Sequence, residues 1–381
     1  MPAVPTDDPV ASAPVRIGVL GLKPRVGLTN FGWDTNVFNE VNDPKRDFTF
    51  AVKPGTELWL RTGKGLLSFE GDLELVYFNQ YSTERAINSN AKGQYELRFN
   101  RIRPYASAST LNTKQRPGYE IDARARHYET DFHVGNDLKV ASKSTVRLDF
   151  QHLDYSFAGD EVFNGRPLNQ QLNRTLQGVS LGWRQRLTAL TTWITTMSRE
   201  SERFEFEDLR NNDSFRLSSG FELGRFALIR GRAFMGYRKL TAADGGLLPE
   251  FSGVTANADV AYTAPTQTRL GAIVSRDIQY SYENRTPYYV QTSWTATLTQ
   301  SVTGRWDAQL TGGRDRLAYQ FIVTSADART DFVGRFGGGI GYSLGDQTRV
   351  SFDVTSFYRT SQIPGREYGS IRAGLSVTYG Y

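Results

Sequence analysis

Apolar and polar residues alternate strictly along the last segment of the chain. From Ile371 to Tyr381 every second residue is apolar, and the positions between them carry Arg, Gly, Ser or Thr. A period of two over about a dozen residues predicts a β-strand with one apolar and one polar face. The segment from Val350 to Arg359 repeats the pattern, and a short Gly/Pro connection joins the two segments.

The same period recurs upstream, which predicts an all-β chain. It is clearest in four further segments, 67–77, 227–237, 254–263 and 288–299. Helical periodicity is nearly absent, because the best candidate, 168–176, is short and lies in a polar connection. We expect a flexible, Pro-rich lead-in at residues 1–22 and one β-domain at residues 23–381.

Short and long connections alternate through most of the chain. The short ones lie near 62–65, 142–144, 224–225, 265–266, 303–304 and 345–346. The long, polar ones lie near 39–47, 83–92, 159–173, 204–213, 241–251 and 321–329. Counting strands on this basis gives about 18, at roughly 20 residues per strand and connection, with about 16 as the alternative because Pro104 and Pro117 interrupt the pattern.

Strand length favours a membrane barrel over a soluble β-sandwich or propeller. The alternating segments often run to about 12–16 residues, whereas strands of soluble proteins average about 5–6. A small barrel fills its interior with apolar side chains, whereas 16–18 strands leave an aqueous lumen, which suits the polar faces seen here. The sequence therefore predicts a transmembrane, antiparallel, up-and-down β-barrel with short periplasmic turns and longer extracellular loops.

Aromatic residues support the same fold. Several lie near strand ends, where they form girdles at the bilayer interface: Trp33, Tyr77, Trp183, Trp294, Trp306, Tyr342 and Tyr358. The end of the chain resembles the C-terminal recognition signal of bacterial outer-membrane barrels, with Leu375, Val377, Tyr379 and Tyr381 on its apolar face. This resemblance implies outer-membrane lipid and the barrel-assembly machinery as partners.

Composition removes several classes of protein. The 381 residues include no Cys and three His, which excludes disulfide scaffolds and Fe–S clusters, and we expect neither a metal site nor a cofactor. The formal charge is +5, with 36 Arg but 9 Lys and no run of five or six like charges, so no nucleic-acid partner is expected. No stretch approaches the roughly 18 apolar residues of a transmembrane helix.

The start of the chain lacks the features of a secretory signal. Residues from Met1 to Val15 carry Asp7 and Asp8, with no basic start and no apolar run. We expect a mature or trimmed form whose signal peptide has been removed, located in the bacterial outer membrane.

Three stretches resemble a known family. They run from Pro24 to Phe38, from Glu120 to Thr145 and from Arg276 to Tyr289. In them the chain resembles the putative β-barrel porin type 2 family, over roughly residues 24–381. The resemblance implies an outer-membrane barrel, often linked to exopolysaccharide export loci, with periplasmic polysaccharide-export proteins as partners. It carries no catalytic residues to this chain.

One motif suggests an enzyme. Gly178-Val-Ser-Leu-Gly182 matches the G-x-S-x-G nucleophile elbow, which requires a strand, a sharp turn and a helix. Here the motif lies within an alternating strand and no helix follows. We therefore expect no catalytic residues and no enzymatic activity.

The polar phase of the strands gives the candidate pore lining. It is rich in Arg, with a group of acids early in the chain: Arg98, Arg124, Arg126, Arg147, Arg184, Arg216, Arg230, Arg232, Arg238, Arg269, Arg305, Arg335, Arg349, Arg359, Arg372, Glu70, Asp72 and Glu74. Rings of charge set ion preference in a pore, although such residues also pair across strands and stabilise the wall.

Two functions follow from this lining. One is a passive, porin-like channel for polar, anionic solutes or an exopolysaccharide strand. The other is a non-conducting barrel that anchors an envelope polysaccharide-export complex. The loops near 83–92, 159–173 and 241–251 are the candidates for an inward-folded constriction.

Overall fold

The computed structural model describes residues 8–224, 227–243, 246–265, 267–322 and 329–380. Long antiparallel strands dominate the chain, and 18 of them form a closed barrel. In chain order they are β1 (Leu20–Asp34), β2 (Asp47–Thr62), β3 (Gly65–Phe78), β4 (Ala86–Leu97), β5 (Ile102–Gln115), β6 (Ala125–Lys139), β7 (Ser144–Phe157), β8 (Arg174–Arg186), β9 (Thr191–Phe204), β10 (Asn212–Leu223), β11 (Ile229–Ala242), β12 (Phe251–Thr263), β13 (Thr268–Tyr280), β14 (Tyr288–Thr303), β15 (Trp306–Gln320), β16 (Thr330–Ser343), β17 (Thr348–Thr360) and β18 (Tyr368–Tyr379).

Each strand pairs with the next, and the last pairs with the first. In the closing ladder Val26 of β1 lies opposite Tyr379 of β18, and Trp33 lies opposite Ala373. A bulge interrupts β1 between Leu28 and Phe31, where Asn30 takes a positive φ of 55°. The predicted up-and-down barrel and its strand number are confirmed, and the sheet has no free edge at closure.

The remaining elements are short. They are helix Pro9–Ser12, helix Leu168–Leu172, 3₁₀ turns Ser82–Glu84 and Asp208–Arg210, and strands Val15–Ile17, Val162–Phe163 and Arg166–Pro167. No helix in the described ranges is both long and apolar enough to cross a membrane. Strand β1 begins at Leu20, and the division of the chain at residue 22 stays a prediction, with residues 1–7 outside the described part.

Connections sort by length to the two ends of the barrel. Those at one end, called the turn end here, run over 63–64, 98–101, 140–143, 187–190, 224–228, 264–267, 304–305 and 344–347. Those at the other end, the loop end, run over 35–46, 79–85, 116–124, 158–173, 205–211, 243–250, 281–287, 321–329 and 361–367. Strand β1 starts at the turn end and β18 finishes there, as an even strand number requires.

Most large side chains on the outer wall are apolar and exposed. Leu73, Leu148, Met235 and Phe336 are examples, each about half exposed or more. Apolar groups in this position have no protein partner, which suits a wall surrounded by lipid. Leu375, Val377 and Tyr379 also lie on this outer wall, whereas Tyr381 lies outside the described residues.

The ladder between β12 and β13 stops before the loop end. Its pairs run from Thr263 with Arg269 to Ala256 with Arg276, so 251–255 and 277–280 are not paired with each other. The end of the β13–β14 hairpin instead lies inside the barrel. Leu240, an inward residue of β11, packs behind it against Ile278 and Tyr288 of the hairpin.

Candidate functional site

The strand register separates the inner wall from the outer wall. Because neighbouring residues point to opposite faces, the phase of the exposed apolar residues fixes the inward phase on every strand. The inward phase holds most of the predicted pore-lining residues: Arg147, Arg184, Arg216, Arg230, Arg232, Arg238, Arg269, Arg335, Arg349, Arg359, Arg372, Glu70, Asp72 and Glu74. Whether they contact a solute stays a prediction.

Four predicted residues lie elsewhere. Arg98 and Arg305 are in connections at the turn end, and Arg124 ends the connection 116–124. Arg126 points outward, because it shares its phase with the exposed Tyr128 and is therefore on the lipid side of β6. The alternation in the sequence predicted that Arg124 and Arg126 both point inward. Strand β6 begins at residue 125, so Arg124 precedes the strand and its direction does not determine that of Arg126.

The acidic group on β3 is bound by cations of β1 and β2. Arg25 contacts Glu57 at 3.0 Å, Glu70 at 2.8 Å and Asp72 at 2.6 Å. Glu74 is bound by Lys53 at 2.5 Å. These contacts cross neighbouring strands and brace the wall, so this side of the lumen presents paired charge.

A denser set of cations lies on the inner wall near the turn end of β5 to β9. We call it the basic cluster: Arg101, Arg103, Lys139, Lys143, Arg147, Arg184 and Arg186. These side chains line a cavity of about 340 Å³, together with Ser142, Thr145, Thr192 and a single acid, Asp137.

Two members of the basic cluster have acidic partners. Arg147 binds Asp137 through two N–O contacts of 2.6 Å, and Arg184 reaches Glu222 at 2.8 Å. The other five have no ion pair with any described residue. Sequence reasoning named only Arg147 and Arg184, although Arg103, Lys139 and Arg186 share their inward phase and could have been found from parity.

The loop end of the lumen is occupied by chain. Connection 116–124 folds inward across the barrel, where the Tyr119 hydroxyl accepts a hydrogen bond of 3.0 Å from Arg335, an inward residue of β16. This connection was not among the predicted constriction loops, because Pro117 and Gly118 resemble a simple break between strands. Connection 158–173, which was among them, packs against it through Phe163 and Leu168. The segment 83–92 does not, since β4 begins at Ala86.

The β13–β14 hairpin completes this inward layer. Tyr280 accepts a hydrogen bond of 2.9 Å from Asn212 on β10, and its ring lies 5.1 Å from that of Phe204 on β9. The buried Arg210 donates to the carbonyl oxygens of Ser281 and Pro287, each at 2.7 Å. The hairpin end is thus held against β10 and β9, which lie three and four strands away from β13 along the wall.

A buried ion network ties connection 116–124 to β16 and β17. Arg359 is fully buried and binds Asp331 at 2.6 Å and Asp122 at 3.0 Å. Asp331, also fully buried, binds Arg329 at 2.9 Å. Buried charges in such a network depend on one another, because removal of one partner leaves another uncompensated.

Glu120 lies at the centre of the inward layer. Its carboxylate accepts hydrogen bonds from the Ser281 hydroxyl at 2.7 Å and the Tyr282 backbone N–H at 3.2 Å. Burial raises the pKa of Glu120 to about 7, and Glu283 adds to the rise, whereas the Ser281 hydrogen bond, Arg329 and Arg366 oppose it. The inserted connection therefore prefers a protonated Glu120.

We expect insertion of connection 116–124 to weaken as pH rises. The inserted state holds its proton up to a pKa of about 7, above the ordinary 4.5, so the stabilisation is complete below 4.5 and is lost as pH passes through about 7. The chain has no Cys, so a spin label on Gly118→Cys reports the mobility of this connection. Mobility should increase between pH 5 and pH 8.

Glu120→Gln is the control for this pH effect. The amide keeps an acceptor for Ser281 and cannot ionise in this range. A label whose mobility depends on pH equally in both proteins would contradict the assignment to Glu120.

The G-x-S-x-G motif and the glycine at position 339 have structural explanations. The stretch Gly178–Gly182 lies within β8, with Val179 and Leu181 on the outer wall, and no helix follows it. At Gly339 in β16, a Cβ would come within 2.1 Å of the Asp353 carboxylate, so the absence of a side chain lets Asp353 lie against the inner wall.

The apolar outer wall, polar inner wall and two classes of connection define a porin-type β-barrel of the bacterial outer membrane. The chain belongs to the family described as Putative beta-barrel porin 2, whose sequence model matches residues 8–381. No curated protein matches it.

Solved outer-membrane proteins are similar to the chain at low sequence identity. Pseudomonas aeruginosa OccK2 (OpdF), solved with glucuronate, is 9% identical, with a TM-score of 0.51 over 94% of this chain and 97% of that chain. P. aeruginosa OpdK, solved with vanillate, is 9% identical, with a TM-score of 0.49 over 94% and 98%. The FrpB iron transporter of Neisseria meningitidis is 10% identical, with a TM-score of 0.48 over 91% and 64%.

Proposed function

We propose that the protein is a channel for anionic solutes, selected at the basic cluster. The observation that carries this proposal is the composition of the cavity lining, with seven cations and one acid on the inner wall of the turn end. Five of these cations have no ion pair with a described residue. A mobile carboxylate or phosphate would supply the missing counter-charge.

The chemistry of the cluster favours carboxylates and phosphates over neutral solutes. Five of the seven cations are Arg, whose planar guanidinium matches the two oxygens of such anions. Several cations around one cavity raise the local concentration of anions and repel cations. The acids on the other side of the lumen are largely offset by Arg25 and Lys53, so they oppose this field only weakly.

Small anions fit this geometry better than a polymer. Connections 116–124 and 158–173 and the β13–β14 hairpin occupy the loop end, so a uronic-acid-rich exopolysaccharide strand requires them to move. A small solute requires only a gap beside them. Export of such a strand, with periplasmic export proteins as partners, is therefore the less favoured form of the proposal.

A second candidate is the non-conducting barrel that anchors an envelope complex. The buried network of Arg359, Asp331 and Asp122 favours it, because it holds the inserted connection firmly in place. The two candidates differ in one measurable property, the passage of ions.

Planar lipid bilayers distinguish the candidates. We expect stable conductance and, in a KCl gradient, a reversal potential that indicates anion preference. The double variant Arg103→Glu/Arg186→Glu should move that potential towards cation preference, because it replaces two unpaired cations of the cluster with acids. Lys64→Glu, in another connection of the turn end, is the matched control and should have little effect.

The bilayer recordings test both the channel and the role of the basic cluster. A closed trace at all voltages would reject the channel and support the anchoring barrel. Conductance with an unchanged reversal potential in the double variant would reject the basic cluster as the selective element.

A further inference from the structure

Charged residues on the outer wall are distributed unevenly along the barrel axis. Of the outward strand positions that the structure describes, eight carry a cation: Lys114, Arg126, Arg199, Arg203, Lys239, Arg276, Arg314 and Arg316. Two carry an acid, Asp154 and Asp213. All ten lie in the half of their strand nearer the loop end, so the turn-end half is uncharged.

This asymmetry indicates a difference between the two leaflets. Long cationic side chains can bend towards water at either interface, and such behaviour alone predicts cations at both ends. An excess of cations at one end instead matches a leaflet whose headgroups are anionic. The loop end is that end in this barrel.

One group of these cations forms a defined site. Arg85, from connection 79–85, stands with Lys114 of β5 and Arg126 of β6 at the loop end of the outer wall. Below them is a groove of about 660 Å³, lined by Arg85 and Arg126 at its head and by outward apolar side chains along its length: Phe50, Val52, Leu75, Tyr77 and Ile87.

The cations of this site are positioned by neutral oxygens. Arg85 donates to the Phe78 carbonyl at 2.8 Å and to the Tyr77 hydroxyl at 3.3 Å. Its guanidinium carbon lies 4.4 Å above the centre of the Tyr77 ring. These contacts orient the guanidinium and leave its charge uncompensated.

The other two cations are held in the same way. Arg126 donates to the Asn112 side chain at 2.7 Å, and Lys114 donates to the Thr83 carbonyl at 2.8 Å. The Glu161 carboxylate accepts from the backbone N–H of Arg126 at 2.8 Å, and none of the three cations forms an ion pair with a described residue.

We propose that this groove binds a phosphorylated glycolipid of the outer leaflet. The phosphate groups would bind Arg85, Lys114 and Arg126, and an acyl chain would lie along the apolar part of the groove. Guanidinium and ammonium groups bind phosphate through charge-assisted hydrogen bonds. The site is on the outer wall, so it does not depend on whether the lumen conducts.

Lipid A in nanodiscs of phosphatidylcholine is the probe for this site. The full-length protein should retain bisphosphorylated lipid A in preference to the same lipid without phosphates, as measured by native mass spectrometry. Arg85→Gln/Arg126→Gln should weaken retention about 25-fold, from roughly fivefold for each cation near a membrane surface.

Arg166→Gln is the matched control, because it removes an exposed cation of connection 158–173. It should retain lipid A as the unaltered protein does. The shift in gel mobility on heating shows whether each variant has folded. Equal retention of the two lipids by the unaltered protein, or unchanged retention by a folded double variant, would overturn the proposal, and the first comparison needs no variant.

Discussion

Replacement of residues 117–123 by a short Gly-Ser linker should raise the single-channel conductance severalfold. This segment carries Tyr119, Glu120 and Asp122, the residues that fasten the inserted connection to Arg335, Ser281 and Arg359. Conductance is governed by the narrowest part of a pore, and this connection lies across the lumen. Planar bilayer recordings under identical salt give the measurement.

The control for this replacement is an equivalent linker at 41–44. That segment is in connection 35–46, at the same end of the barrel, and its residues are exposed. Its replacement should leave conductance unchanged. If removal of 117–123 also leaves conductance unchanged, the constriction lies elsewhere in the lumen.

Asp331→Asn should reduce the free energy of unfolding by about 3–5 kcal/mol, the range for loss of one partner from a buried ion pair. The carboxylate is fully buried and accepts from Arg329, Arg359 and Ser361. With an amide in its place, two buried arginines each lose an acidic partner: Arg359 is left with Asp122 and Arg329 with Glu283. Denaturant unfolding in detergent gives the measurement.

Glu222→Gln is the comparison for Asp331→Asn. Glu222 also binds an arginine, Arg184, but both side chains are partly exposed, so the expected loss is at most about 1 kcal/mol. Equal losses of unfolding free energy in the two variants would show that burial does not determine how much the Asp331 contacts stabilise the barrel.

The fold followed from the sequence because one physical rule acts on every strand. A wall with lipid on one side and polar interior on the other requires alternation, and β18 shows it from Ile371 to Tyr379. Most connections likewise followed from the absence of apolar periodicity, but the predicted long connection 83–92 was wrong, because β4 begins at Ala86. Strand number was harder, since Pro104 lies within β5 although proline is unusual inside a strand.

The site was only partly predictable. Parity could place Arg147 and Arg184 on the inner wall, because both lie within long, regular strands. It could not place Arg126, whose direction depends on the residue at which β6 begins. Insertion of connection 116–124 was beyond local reasoning, since its partners Arg335 and Arg359 are more than 200 residues away in the chain.

The early end of the β12–β13 ladder has a consequence for the surrounding bilayer. Eight residue pairs join these strands, which at about 3.3 Å per residue and a tilt of about 45° span roughly 19 Å of wall, less than the apolar band of about 25 Å usual in such barrels. The backbone groups that this ladder leaves unpaired lie between Ala256 and the loop end. They are expected to lie outside the hydrocarbon core, since an unsatisfied backbone group costs several kcal/mol of free energy there. The bilayer is therefore expected to thin beside this pair of strands, or the barrel axis to lean until the shorter side fits.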